Sequence, residues 1–122
     1  MEQEPDRRRY LRIEFAPPLA GRFGDTDCEV LELNTMGATI SHSAPLMLHE
    51  KANLRFPYQF NSLQLTGEVR RSEVVARNAT TGRGQIHSVL VFDNLSAEDR
   101  RALEHLLLVE IENIKAREPE KP

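Results

Sequence analysis

Between Leu19 and Phe92 the apolar residues recur at every second position in short runs, and that period leaves few folds open. Ala52-Asn53-Leu54-Arg55-Phe56 alternates strictly, and so does Leu63-Gln64-Leu65-Thr66, which continues through Gly67 to Val69. A period of two marks a strand with one buried face. Glu29–Leu33, Ala38–Ser41 and Gln85–Phe92 are further candidates. Turn-forming residues separate the runs: Gly24-Asp25, Asn34 to Gly37, Pro45, Pro57 and Asn78 to Gly84. Upstream, Pro17-Pro18 resists helix and opens an extended region. Short strands at this spacing predict a closed or nearly closed barrel.

The period then changes. Ser96 and Asp99 have the spacing of a helix cap, and Leu103, Leu106, Leu107, Ile111 and Ile114 follow at helical spacing. Arg100, Arg101, Glu104, Glu112 and Lys115 fall mainly on the other side. This predicts an amphipathic helix laid against the barrel, with Glu110 at its rim. The 122 residues suffice for one domain. The expected division is an arginine-rich arm over residues 1–16, flexible when free, a barrel with its helix over 17–116, and a disordered tail over 117–122.

Composition removes several function classes. The lone cysteine, Cys28, rules out an intrachain disulfide and fits a reducing cytosol. No apolar run approaches a membrane span, and the polar, acidic start Met1–Asp6 lacks the pattern of a signal peptide. His42, His49, His87 and His105 have no metal-ligand spacing and read as surface or half-buried residues. No nucleophile elbow, phosphate-binding loop or paired-carboxylate site appears, so the chain reads as a binding protein without catalytic residues, metal or cofactor. The net charge of −3 disfavours a nucleic-acid polymer as partner.

The basic residues are unevenly placed. Arg7, Arg8, Arg9 and Arg12 crowd one short segment, and such a cluster on an acidic chain points to a small anionic ligand. Guanidinium forks match phosphate oxygens in pairs, match the O6 and N7 acceptors of guanine, and stack on bases. A solvated charge run remains an equally simple reading of the arginines alone. Arg70 and Arg71 read either as an extension of this surface or as a solvated strand face. The second feature is Glu32-Leu33-Asn34-Thr35-Met36-Gly37-Ala38, a short junction between two strands. Glu32 and Asn34 are two residues apart and share a face in an extended chain. A carboxylate and an amide there suit the donor edge of a guanine. Gly37 marks either a conformation that other residues resist or the close approach of a ligand. An ordinary polar hairpin also fits.

Taken together, these features resemble the PilZ family, whose signature is an N-terminal RxxxR followed, about twenty residues on, by [D/N]xSxxG. Arg8 to Arg12 matches the first motif, with Arg7 and Arg9 beside it. In the second motif the glycine is Gly37, but Glu32 stands at the acidic position and Asn34 at the serine position. Gly67-Glu68-Val69-Arg70 is similar to the family's GxVxR strand, and Val89–Phe92 followed by Leu95-Ser96 and a helix is similar to its ending.

The resemblance implies a mainly β fold, a six-stranded antiparallel barrel with a C-terminal helix packed against it, and a cyclic di-GMP ligand. It implies contacts from Arg8 and Arg12, support from Arg7 and Arg9, a guanine-facing Glu32 and Asn34, and a turn shaped by Gly37. The implied role is a bacterial, cytoplasmic receptor, monomeric and outside the membrane, that turns nucleotide binding into contact with an effector protein. The departures at Glu32 and Asn34 leave a second role open: an adaptor that has lost the nucleotide and works by protein contact alone.

Overall fold

The computed structural model describes residues 12–58, 61–77, 79–80 and 82–117. Six strands precede one helix: β1 (Arg12–Phe23), β2 (Thr26–Asn34), β3 (Gly37–His42), β4 (Lys51–Tyr58), β5 (Asn61–Arg77), β6 (Gly84–Phe92) and α1 (Ala97–Arg117). The strands close into an antiparallel barrel in the order β1-β2-β3-β6-β5-β4. Closure comes from β1 against β4, where Arg22 faces Arg55 and Phe23 faces Leu54.

The strands form where the period-two runs lie, but several are longer than expected. The expected arm boundary at residue 16 moves, because residues 12–16 already belong to β1. Pro17 and Pro18 interrupt its ladder with β2, whose register shifts between Glu14 and Leu19. A proline offers no N–H to a ladder, so the irregularity falls where the prolines are. Pro57 is no turn: it lies within β4 opposite Ser62, one residue before the hairpin pair Tyr58 and Asn61. β5 runs on to Arg77, well past the alternating segment that announced it.

The inward side chains form one core. Ile13, Phe23, Val30, Leu33, Ile40, Leu54, Phe56, Leu65, Val69 and Leu90 are buried together with Leu103, Leu106 and Leu107 of the helix. Full burial of side chains of this size is worth about 1.5–3 kcal/mol each, set against the entropy of ordering the chain. The helix starts as its sequence indicates: the Asp99 N–H donates to Ser96 Oγ at 3.0 Å and the Arg100 N–H to the Ser96 carbonyl at 2.9 Å. At the rim, the Tyr58 hydroxyl donates to Glu110 Oε1 at 3.0 Å. Ile114 departs from expectation. It is exposed, as is Leu108.

Cys28 is a buried core residue, and burial pushes its thiol pKa up to about 11. His42 is neither a surface nor a half-buried histidine but a fully buried one. Its Nδ1 lies 2.6 Å from the Ala44 carbonyl oxygen and its Nε2 2.6 Å from Ser88 Oγ. A carbonyl only accepts, so Nδ1 donates to Ala44, and Nε2 shares a hydrogen bond with the Ser88 hydroxyl. Both ring nitrogens are thus satisfied in the interior.

Candidate ligand-binding site

The segment that carries the arginines enters the barrel beside the β2–β3 junction. Arg12 is the first residue of β1 and sits opposite Asn34, the last residue of β2. The next pairs are Ile13 with Leu33 and Glu14 with Glu32. Arg7, Arg8 and Arg9 lie outside the described residues.

Glu32 reaches this surface through an irregularity. Strict alternation from the buried Val30 would send Glu32 inward as well. The register of β2 on β3 shifts between Val30 and Glu32, and the next fully buried residue is Leu33. A bulge of this kind inserts one residue and re-aims those after it. Glu32 and Asn34 therefore flank Leu33 on the outer face, as expected for residues two apart.

The Glu32 carboxylate takes both prongs of the Arg12 fork. Arg12 Nε lies 2.6 Å from Oε1, and Nη2 donates to Oε2 at 3.1 Å. Arg12 is more than half exposed and Glu32 about one-fifth exposed, at 57% and 21% of the side chain. The hydrogen bond to Glu32, and then its charge, raise the Arg12 pKa further above its ordinary value. The guanidinium is thus a fixed cation, oriented by a bidentate pair.

Asn34 is spent largely on the turn. Its Oδ1 accepts from the Met36 N–H at 2.7 Å and from the Gly37 N–H at 2.9 Å. This is a side chain standing in for a backbone turn partner, a role that a serine hydroxyl also performs. With its oxygen committed, Asn34 has N–H donors left to offer. It suits an acceptor such as guanine O6 or N7, or a phosphate oxygen, and not the donor edge expected from sequence. The carboxylate of Glu32 remains the only group of the two that suits that donor edge.

Gly37 is not in the left-handed region, and the structure gives it a requirement of its own. A Cβ built on it would fall 1.9 Å from the Leu90 carbonyl oxygen of β6. The backbones of β3 and β6 meet there without room for any side chain, which fixes the junction against the barrel wall. Met36 stands out from the turn, 59% exposed.

A further charged group stands at the same level of the barrel. Gly37 faces Val91, Val91 faces Glu68, and Glu68 faces Lys51 across three ladders. Glu68 accepts from His49 Nδ1 at 2.9 Å and pairs with Arg70 Nε at 2.9 Å and Lys51 Nζ at 4.0 Å. Lys51 also lies 3.4 Å from Asp93. The His49 hydrogen bond, followed by the charges of Arg70, His49 and Lys51, lowers the Glu68 pKa. The sequence does not show these residues as one group. Its members come from two strands and the loop before β4, and no spacing joins them. Arg70 is on the solvated face, held by Glu68, and Arg71 is exposed one residue on. Among the described residues no three His, Cys, Asp or Glu side chains are grouped to hold a metal ion.

The PilZ domain family model matches residues 6–108. The chain belongs to the PilZ family. Solved structures agree on the fold. The PilZ domain with c-di-GMP of YcgR from Escherichia coli superposes with a TM-score of 0.72 at 14% identity, covering 92% of this chain and 97% of that one. The Bacillus subtilis inhibitor of motility MotI/DgrA gives 0.63 at 16% identity, over 91% of this chain and 54% of that one. An uncharacterised Legionella protein gives 0.60 at 16% identity, over 85% and 97%. The search of curated proteins returned no match. PilZ domains are binding and adaptor modules, not enzymes. In this PilZ domain no described helix is long and apolar enough to cross a membrane.

Proposed function

We propose that this PilZ domain is a cytoplasmic receptor for cyclic di-GMP, monomeric when free. Arg7, Arg8, Arg9 and Arg12 hold the ligand's phosphates and guanines against Glu32, Asn34 and Gly37. The observation that carries this reading is the placement of Arg12: it is cross-strand neighbour to Asn34 and ion-paired to Glu32. The arm therefore starts at the junction, and few residues separate Arg8 from it. Support also comes from the YcgR structure, a PilZ domain with c-di-GMP.

The ligand brings the arm down over the junction. Charge-assisted bonds and stacking supply the energy, and ordering the arm costs about 1–2 kcal/mol per residue. The ordered arm then offers an effector protein a surface that the free domain lacks. The test is calorimetric titration of the wild-type chain and of Arg8→Ala with cyclic di-GMP. Heat with the wild type and a loss of at least tenfold in the variant support the receptor. A folded wild-type sample that gives no heat near 1 mM ligand, about 4 kcal/mol of binding, rejects it.

One observation favours the second role, a nucleotide-free adaptor. Glu32 already occupies both prongs of Arg12, so a phosphate must displace a carboxylate to use that arginine. A misplaced polar contact costs about 1–3 kcal/mol, or roughly five- to hundredfold in affinity. Under the adaptor reading the wild type is silent, and Glu32→Asp combined with Asn34→Ser binds the nucleotide.

A further inference from the structure

β3 is shorter than both of its neighbours, and its early end leaves a gap in the barrel wall. Its ladder with β2 ends at the pair Ser41 and Glu29, and its ladder with β6 ends at His42 and Ile86. β2 begins earlier, at Thr26, and β6 at Gly84. Past His42 the chain bends away at Ser43 and Ala44, held by the bond between His42 Nδ1 and the Ala44 carbonyl. Thr26-Asp27 and Gly84-Gln85 thus flank the place that a longer β3 would occupy. Among the described residues no other main-chain bond takes over these two edges.

The gap is a cleft of about 920 Å³, floored by the buried Cys28, Ser41 and His42. Strands on either side of a missing one stand two ladder spacings apart, about 9.5 Å, which is the width of one extended chain. Its walls carry opposite charge. Asp25, Asp27 and Glu29 line the β2 side, and Arg77 and Arg83 the other. Asp27 is paired with Arg22 at 3.1 Å yet remains 90% exposed, and Glu29 is exposed beside it.

We propose that this cleft is a docking slot for an extended segment of a partner protein, which enters as a continuation of β3, antiparallel to β2 and β6. Main-chain bonds to the two open edges supply affinity, as in other strand additions. Side chains directly across a ladder share a face, so the partner residue opposite Asp27 points outward. A lysine or arginine at that position meets Asp27 and Glu29. Its neighbour opposite Thr26 and Gly84 faces the floor, where an apolar side chain fits above Cys28. The slot lies at the far end of β2 and β3 from Asn34 and Gly37, so it works whether or not the nucleotide reading holds.

The probe is an end-capped peptide, Lys-Val-Thr-Val-Thr, whose first residue takes the open position opposite Asp27, titrated into the isotope-labelled full chain and followed by amide chemical shifts. A peptide with Glu in place of Lys is the control. The expected result is saturable shifts confined to Thr26–Glu29, Ser41–Ala44 and Gly84-Gln85, with the Lys peptide binding about tenfold more tightly than the Glu peptide. Asp27→Lys with Glu29→Lys, two exposed positions that the core does not use, reverses that preference. Three outcomes overturn the proposal. One is no shift with either peptide at about 5 mM, weaker than any useful docking contact. Another is equal binding of both peptides. The last is the same shifts on raising protein concentration alone, which assigns the slot to a second copy of the chain.

Discussion

At the scale of single residues, the junction turns on how Asn34 spends its atoms. Its oxygen holds two backbone N–H groups, so its replacement of a serine leaves the turn's chemistry intact. Asn34→Ala strands both donors and is expected to cost about 1–2 kcal/mol, while Asn34→Ser costs well under half of that. Urea denaturation of the two variants checks this, and equal losses count against the capping role. Cys28 gives a second residue-scale test. Its pKa is raised to about 11 by burial, so the thiolate is scarce at neutral pH and forms only as pH approaches that value. A water-soluble disulfide reagent is expected to label the native chain far more slowly than the urea-unfolded chain at pH 8. Fast labelling of the native state contradicts the burial.

At the scale of elements, α1 separates a packed segment from an idle one. Leu103, Leu106 and Leu107 are fully buried, whereas Ile114 is 37% exposed. Leu106→Ala is expected to lose about 2–5 kcal/mol and Ile114→Ala no more than about 1 kcal/mol, both read from denaturation midpoints. The helical spacing of these residues was legible in the sequence, and so was the cap at Ser96. Where the barrel stops supporting the helix was not, because that depends on the length of the surface beneath it. The same holds for β5: its alternating part was legible, but its extension through Val74 and Val75 is exposed on both faces and carries no burial pattern.

At the scale of the whole molecule, ion pairs join segments distant in sequence. Glu68 ties His49, Lys51 and Arg70 together at the level of the β2–β3 junction. Its pKa is lowered in the folded chain, so it contributes stability above the ordinary carboxylate range, near 4.5. That contribution is lost as pH falls through the lower folded value. Wild type is expected to be more stable than Glu68→Gln at pH 7, with the gap closing in acid. Paired denaturation curves at pH 7 and in acid measure it, and a gap that persists unchanged in acid contradicts the sign.

The sequence by itself determined the strand runs, the change to helical period at Ser96, the arginine cluster and the Glu32–Gly37 junction, because each is a local pattern of side-chain type and spacing. Only the tertiary structure decided how these meet. A bulge after Val30, which alternation alone does not reveal, turned Glu32 outward to Arg12. The reason for Gly37 lies in the carbonyl of Leu90, which comes within reach only when β3 pairs with β6. Register, closure and close backbone approach arise between segments far apart in the chain, so no spacing along one segment records them.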